Sequence, residues 1–139
     1  PTPANNTRAE VYDFIEKSIL GGTWKSATFA ANIDNLTKTR TYGTMNYWVA
    51  QTVLAKLYLN AQVYTGTQQW QKAADATNTI ITGGVYSLET NFFDNFKTNN
   101  NGSKENIFVI PYDQNTGTGF NLPQMTLHYA SQATYNLQS

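Results

Sequence analysis

The sequence contains no cysteine and only one histidine, His128, among its 139 residues. These absences exclude disulfide bonds, a thiolate zinc site and a cysteine nucleophile. Charged residues make up 13% of the chain, and nine basic residues balance nine acidic ones. Because there is no basic cluster, the sequence predicts neither nucleic-acid binding nor attraction to anionic lipid head groups. No stretch approaches the run of about 18 apolar residues that a spanning helix needs.

The polar character of the chain comes instead from uncharged side chains. Sixteen asparagines, twenty threonines and nine glutamines make up about a third of the residues, and 14% of the residues are aromatic. Amides and hydroxyls form hydrogen bonds with sugar hydroxyls, while aromatic rings stack on the apolar faces of sugar rings. The composition therefore suits a neutral, hydroxyl-rich partner.

Near the start of the chain, Thr7 and Glu10 have the spacing of a capping box. The apolar residues that follow recur every three or four positions until a pair of glycines, which predicts an amphipathic helix over residues 8–20. Residues 23–42 lose this pattern and predict a loop, with room for one helical turn.

The strongest helical pattern covers residues 44–65, whose apolar side chains extend around more than one face. Residues 69–82 predict a shorter helix that pairs with it in the antiparallel direction. Glycines follow both segments and should end both helices. The side chains expected to be buried in this pair, or against a third element, are Leu54, Leu57, Tyr58, Ala74 and Ile81.

The remaining segments give weaker patterns. Residues 91–96 predict a helical turn that inserts Phe92, Phe93 and Phe96 into the core. Residues 106–110 are apolar and predict at most a short strand, and the proline that follows disfavours a central one. The chain is thus expected to be mainly α-helical, with a loop-rich segment over 97–139.

Nothing in the sequence indicates catalysis. His128 stands alone, and a G-x-S-x-G nucleophile motif is absent. The acidic residues are scattered rather than paired, and those at 10, 13 and 16 are interpreted as the solvated face of the first helix. We therefore expect no enzymatic activity, no metal site and no cofactor.

Five motifs follow one another in a fixed order: EVYDFIEKSIL at 10–20, RTYGTMNYWVAQTVLAKLYLNAQVYTG at 40–66, WQKAADATNTIITGGVYSL at 70–88, NFFDNF at 91–96 and NNNGSKENIFVIPYD at 99–113. Together they resemble the SusD/RagB family of outer-membrane glycan-binding lipoproteins of Bacteroidetes. The small and aromatic residues of the two central helices are also typical of tetratricopeptide-like pairs. A signal peptide and a lipidated cysteine are not present, so residues 1–139 are expected to be a single fragment of a larger SusD-like domain.

The resemblance implies a SusD-like α/α superhelix of tetratricopeptide-like pairs, with a loop-rich lobe that binds oligosaccharide or polysaccharide. It also implies a lipid-anchored location at the cell surface, on the outer membrane. There the protein would deliver glycan to a SusC-like TonB-dependent transporter. The alternative is a tetratricopeptide-like scaffold that binds a protein or peptide and no glycan.

The candidate ligand-binding residues lie in the tail, where irregular sequence and nearby glycines favour a functional loop. The family resemblance points the same way, because its sugar site is built largely from loops outside the repeat helices. The candidates are Phe120, Asn121, Gln124, His128 and Tyr129.

Overall fold

The computed structural model describes residues 5–111 and is mainly helical, as the sequence predicts. Its elements in chain order are α1 (Arg8–Leu20), β1 (Gly22–Trp24), β2 (Ala27–Phe29), a 3-10 helix (Asn32–Asn35), α2 (Tyr47–Leu59), α3 (Ala61–Thr65), α4 (Trp70–Gly83) and a second 3-10 helix (Phe92–Phe96). Over this part of the chain, no helix is long and apolar enough to cross a bilayer. Whether residues 1–139 belong to one larger domain stays a prediction.

Helix α1 has the predicted bounds because the capping box forms. The Thr7 hydroxyl accepts a hydrogen bond from the Glu10 amide at 3.2 Å, and the Thr7 amide donates to the Glu10 carboxylate at 2.7 Å. At the other end, Gly21 has φ 84° and lies against the backbone of Ala31. A side chain there would meet both strain and a steric clash, so the helix ends where the glycine permits it.

The loop expected over 23–42 contains an unpredicted hairpin as well as one helical turn. Strands β1 and β2 pair antiparallel, and Lys25 in the turn between them has φ 51°. Glycine or asparagine usually occupies such a position, so the sequence carries no turn signal there. The hairpin is held on α1 by Trp24, whose indole N–H donates to the Glu10 carbonyl at 2.9 Å.

The long helix expected over 44–65 is two helices, and this prediction is corrected. Helix α2 begins only after Asn46, whose side chain accepts from the Val49 amide at 2.9 Å. It ends at Asn60, whose side-chain amide donates to the Lys56 carbonyl. Asparagine side chains compete with the backbone for hydrogen bonds, which accounts for both boundaries. The predicted stop at Gly66, which has φ 79°, is confirmed.

Helices α2 and α4 run in opposite directions. Lys72, near the start of α4, lies 5.1 Å from the ring centre of Tyr58, near the end of α2. At the other end of the pair, Gly83 approaches the Trp48 ring so closely that a Cβ atom would overlap it. The central core consists of Tyr12, Ile33, Ala50, Leu54, Leu57, Tyr58, Ala61 and Ala73.

The predicted burial of Leu54, Leu57 and Tyr58 is confirmed, whereas that of Ala74 and Ile81 is wrong. Helix α4 contacts α2 through two small residues, Ala73 and Ala76, which are buried. Ala74 and Ile81 are seven positions apart and therefore share the neighbouring face, which lines an open groove. Ile81 is 68% exposed.

The helical turn at 91–96 forms, but its phenylalanines are not in the core. Phe92, Phe93 and Phe96 are each about two-thirds exposed, whereas Asn95 between them is buried. Only one face of so short a helix points inward, and the hydrogen-bonded side-chain amide of Asn95 lies on that face. Residues 106–110 form no strand, since no neighbouring segment in the described part offers them a ladder of hydrogen bonds.

Candidate functional site

A small polar pocket lies between the loop at 40–42, which precedes α2, and the segment 100–109. Its volume is about 140 Å³. Most of its lining consists of amide, hydroxyl and guanidinium groups, with two aliphatic side chains: Arg40, Thr41, Tyr42, Asn100, Asn101, Ser103, Asn106, Ile107 and Val109. No acidic side chain is among these lining residues.

One wall of the pocket is fixed by Asn46, a fully buried residue at the start of α2. Its Nδ2 donates to the Thr41 hydroxyl at 3.0 Å and to the Tyr86 hydroxyl at 3.2 Å. The Tyr86 hydroxyl in turn donates to the Ile107 carbonyl at 3.4 Å. A single buried amide therefore holds the helix start, the 40–42 loop and the 107 backbone together.

The opposite wall is fixed by Asn95 and Ser103, both of which are buried. The Ser103 hydroxyl donates to Asn95 Oδ1 at 2.6 Å and accepts from the Glu105 amide at 3.2 Å. Asn100 Nδ2 donates to the Asn95 carbonyl at 2.7 Å. The NFFDNF and NNNGSKEN motifs are thus brought together by hydrogen bonds between their polar residues.

Glu105 completes this network. Its Oε2 accepts from Asn95 Nδ2 at 2.8 Å and from the Glu89 amide at 3.2 Å. These two hydrogen bonds, led by that of Asn95, hold the pKa of the Glu105 carboxyl below its usual range. The Glu89 carboxylate accepts from the Lys104 amide at 2.6 Å. Both carboxylates therefore support the backbone around the pocket.

The groups left for a ligand are on the rim and in the interior of the pocket. Tyr42 is 52% exposed. Within residues 5–111, its hydroxyl and the side-chain amides of Asn101 and Asn106 form no hydrogen bond. Amides offer both donors and acceptors, and an exposed ring offers a stacking surface. This combination matches the surface of a sugar.

Arg40 joins the two walls, because its Nη2 donates to the Gly102 carbonyl at 3.1 Å. A guanidinium carries five N–H donors, so others remain for a ligand. Over the described part of the chain Arg40 takes part in none of the ion pairs.

Phe92, Phe93 and Phe96 form an exposed aromatic cluster on the helical turn that carries Asn95. The ring centres of Phe92 and Phe93 are 5.7 Å apart, and those of Phe92 and Phe96 are 5.2 Å apart. The rings are tilted against each other by 51° to 75°, so they do not present one flat surface.

A second polar cluster lies between α1, α2 and α4. The Tyr58 hydroxyl donates to Glu16 Oε1 at 2.9 Å, and Lys72 Nζ donates to the same oxygen at 3.1 Å. Burial, with the hydrogen bond and charge of Glu16 added, raises the pKa of Tyr58. Burial, followed by the charge of Glu16, likewise raises the pKa of Tyr12. Glu16 thus ties helices together and is not part of a solvated face as interpreted from the sequence.

Two larger, mainly apolar grooves flank the helices. The first, of about 620 Å³, runs between α1, α2 and α3 and is lined by Val11, Tyr12, Val53 and Leu57 among others. The second, of about 760 Å³, lies on α2 and α4 beside Trp70 and Ile81. In the described ranges, no group of three or more acidic or histidine side chains is placed to hold a metal ion.

The predicted ligand-binding residues Phe120, Asn121, Gln124, His128 and Tyr129 lie outside the described residues, so they stay a prediction. No pattern in the sequence predicts the lining of the polar pocket. The one available signal is Asn46, because asparagine is favoured as an N-cap residue. It indicates that α2 begins at Tyr47 and that the 40–42 loop lies just before the helix start.

No protein-family model matches the chain, and no curated protein sequence matches it.

Proposed function

We propose that the protein binds oligosaccharide without catalysing a reaction. The observation that carries this proposal is the polar pocket, where a half-exposed tyrosine stands beside two amides with no partner in the described part of the chain and an arginine. Sugars are recognised by such a combination of stacking and neutral hydrogen bonding. The absence of acidic groups from the lining favours a ligand without positive charge.

Binding is expected to be weak for a single site. Each hydrogen bond to a sugar replaces one to water and contributes about 0.5–1.5 kcal/mol. Stacking on one ring contributes a similar amount, so the dissociation constant should lie in the micromolar-to-millimolar range.

The wider setting is also a proposal. The order of the sequence motifs supports membership of the SusD/RagB family, in which the protein is lipid-anchored at the outer membrane and passes glycan to a SusC-like transporter. The antiparallel α2–α4 contact through Ala73 and Ala76 supports a tetratricopeptide-like pair, because small residues let helices approach closely. Ligand binding by the tail residues Phe120, Asn121, Gln124, His128 and Tyr129 is a separate part of this proposal.

Isothermal titration of the intact protein against a panel of neutral glycans tests the proposal. Tyr42→Ala should weaken binding of any glycan that the protein recognises. Tyr64→Ala is the matched control, since Tyr64 is similarly exposed but lines the groove between α1, α2 and α3. Phe120→Ala and Tyr129→Ala test the tail separately. If no glycan in the panel binds, the proposed function is wrong.

The absence of catalysis is tested by incubating the protein with each bound glycan. Glu105 keeps a lowered pKa and is committed to Asn95 and the Glu89 amide, so it is a poor general acid. We expect no release of reducing sugar. Release that disappears in Glu105→Gln or Asp113→Asn would identify a catalytic carboxylate and contradict the proposal.

The second candidate is a tetratricopeptide-like scaffold that binds a protein or peptide. The apolar groove on α2 and α4 favours it, because Trp70 and Ile81 are exposed there by 54% and 68%. An amphipathic helix could lie in a groove of this kind. Binding of a peptide that is lost in Trp70→Ala, together with no response to any glycan, would support the scaffold over the sugar-binding protein.

A further inference from the structure

We propose that the groove between α1, α2 and α3 is a docking surface for an acidic amphipathic helix of a partner protein. This groove is separate from the polar pocket, and the proposal goes beyond sugar binding and does not depend on it. It follows from the apolar residues of the groove, from the helices that form its walls and from the charged residues that line it.

The groove leaves apolar side chains partly uncovered. Its volume is about 620 Å³. Tyr12 and Leu57 line it and are buried in the core, whereas Val11 and Val53, which also line it, are 44% and 37% exposed. A partner that covers these two valines removes apolar surface from water, which stabilises a complex.

The two long walls have the spacing of a helix-binding surface. On α1 the lining residues are at positions 8, 11, 12 and 15, and on α2 and its C-cap they are at positions 53, 56, 57 and 60. Each row extends over seven positions, or about 10.5 Å. An amphipathic helix that binds through positions i, i+3, i+4 and i+7 has a contact row of the same length.

A helix also suits these walls better than an extended peptide does. An extended peptide needs partners for its backbone N–H and C=O groups. The backbone groups of α1 and α2 are hydrogen-bonded within the helices, and none of the described residues that line the groove belongs to a strand. A helix satisfies its own backbone groups and requires only side-chain contact.

The groove carries positive charge that nothing in the described part of the chain balances. Arg8 and Lys56 line it, and no acidic side chain is among the lining residues. Within residues 5–111, neither cation takes part in an ion pair. A partner with negative charge beside its apolar residues is therefore complementary to the groove.

The helices that form the walls have no carboxylate to spare. Each acidic residue of α1 is paired with a lysine that does not line the groove: Glu10 with Lys25 at 3.2 Å, Asp13 with Lys17 at 2.9 Å and Glu16 with Lys72 at 3.1 Å. Helices α2 and α3 contain no acidic residue. Of the nine acidic residues in the sequence, only Asp113 lies outside the described residues, and one carboxylate does not balance two cations. The complementary acidic helix is therefore expected on a partner.

The experiment measures binding of three labelled amphipathic peptides to the intact protein by fluorescence anisotropy. Each peptide has about 18 residues, enough for a stable helix, and leucines at i, i+3, i+4 and i+7. The positions beside the leucines carry glutamate in the first peptide, glutamine in the second and lysine in the third. We expect the glutamate peptide to bind about tenfold more tightly than the lysine peptide, with the glutamine peptide between them.

Variants of the protein locate the binding surface. Arg8→Glu should weaken binding of the glutamate peptide by about three- to tenfold and strengthen that of the lysine peptide. Lys104→Glu is the matched control, since Lys104 is exposed and does not line the groove. Val53→Asp should weaken binding more than about tenfold, because a carboxylate would be covered by leucine. Val63→Asp is its control, since Val63 is 68% exposed and does not line the groove. Circular dichroism checks that each variant remains folded.

Three results would overturn the proposal. The first is that none of the peptides binds, or that all three bind equally. The second is loss of the glutamate peptide in Trp70→Ala and not in Arg8→Glu, which would place it in the groove on α2 and α4. The third is a dimer of the protein alone, seen by sedimentation and dissociated by Arg8→Glu, which would make a second copy the occupant. Sugar binding is measured without the peptides, so its outcome is independent of all three.

Discussion

The α2–α4 helix pair and the segment between residues 86 and 107 are ordered by different interactions. In α2 the buried side chains are apolar or aromatic, and α4 contributes two alanines. In the 86–107 segment the buried side chains are those of Asn95 and Ser103, while three phenylalanines of the same segment face solvent. Hydrophobic burial orders the first region and hydrogen bonding orders the second.

This difference shows when an aromatic-rich motif indicates a hydrophobic core and when it does not. Apolar residues at helical spacing indicate a core only where a long helix has a partner to cover them. In a short turn, the backbone amides must find acceptors, and asparagine or serine side chains take the interior positions to provide them. The aromatic side chains of such a turn are then free to face outward.

The largest effect expected from this comparison is in the helix pair. Leu54 is only 2% exposed, so Leu54→Ala should lower the free energy of unfolding by about 2–5 kcal/mol. Leu59→Ala is the control, because Leu59 is on the same helix and 62% exposed. Urea denaturation measures both. A Leu54→Ala protein as stable as the parent would contradict the assignment of the core, and the neighbouring Leu57→Ala offers a repeat of the test.

The next largest effect is expected at Asn46, where the two regions meet. Asn46→Ala removes the N-cap of α2, which costs about 0.5–2 kcal/mol. It also removes the amide that donates to the Thr41 and Tyr86 hydroxyls, and each of these lost hydrogen bonds adds about 0.5–1.5 kcal/mol. The loss should exceed that of an N-cap alone. Hydrogen exchange should show faster exchange both at the start of α2 and near Ile107. Faster exchange at the helix start alone would show that Asn46 does not link the two regions.

A smaller effect is expected at Ser103, in the polar region. Ser103→Ala leaves Asn95 Oδ1 and the Glu105 amide without their partner and should cost about 1–3 kcal/mol. Ser87→Ala is the matched control, because Ser87 is exposed and contributes its backbone amide, not its side chain, to the bond with Lys104. Equal stability of the two variants in urea would show that the buried hydroxyl does not order the segment.

The smallest effect is a dependence on pH. Since the pKa of Glu105 is lowered in the folded protein, its contribution to stability is fully present above the ordinary glutamate pKa of about 4.3. It is lost as the pH falls from there through the lowered pKa. Glu105→Gln should therefore reduce the slope of stability against pH in the acid range. Glu10→Gln is a useful comparison, because the hydrogen bond from the Thr7 amide lowers the Glu10 pKa in the cap of α1.

Some of this fold could be predicted from the sequence because local chemistry decides it. The capping box at Thr7 and the stops at Gly66 and after Gly83 depend on neighbouring residues alone, and the structure confirms them. The sequence does not predict the hairpin, because Lys25 adopts a left-handed conformation that is uncommon for lysine. Its stability comes from contact with α1, which is not local.

The candidate pocket could not be predicted for the same reason. Arg40 and Gly102 are 62 positions apart, and Asn46 and Tyr86 are 40 apart. No periodic pattern connects them, because the segments that carry them are irregular. The buried face of α4 cannot be predicted for a different reason. Ala73 and Ala74 are the same residue type, and only the side of the helix that α2 covers decides that Ala73 is buried and Ala74 is exposed.

The most direct test of the central claim, that the polar pocket binds sugar, is a nuclear magnetic resonance titration of the isotope-labelled intact protein with the glycan that binds by calorimetry. We predict that the side-chain amide signals of Asn101 and Asn106 shift and saturate at the calorimetric dissociation constant, together with backbone signals at 40–42. Signals of residues that line the helix grooves, such as Tyr64 and Ile81, should stay in place. Saturating shifts along either groove, with the Asn101 and Asn106 amides unmoved, would contradict the claim.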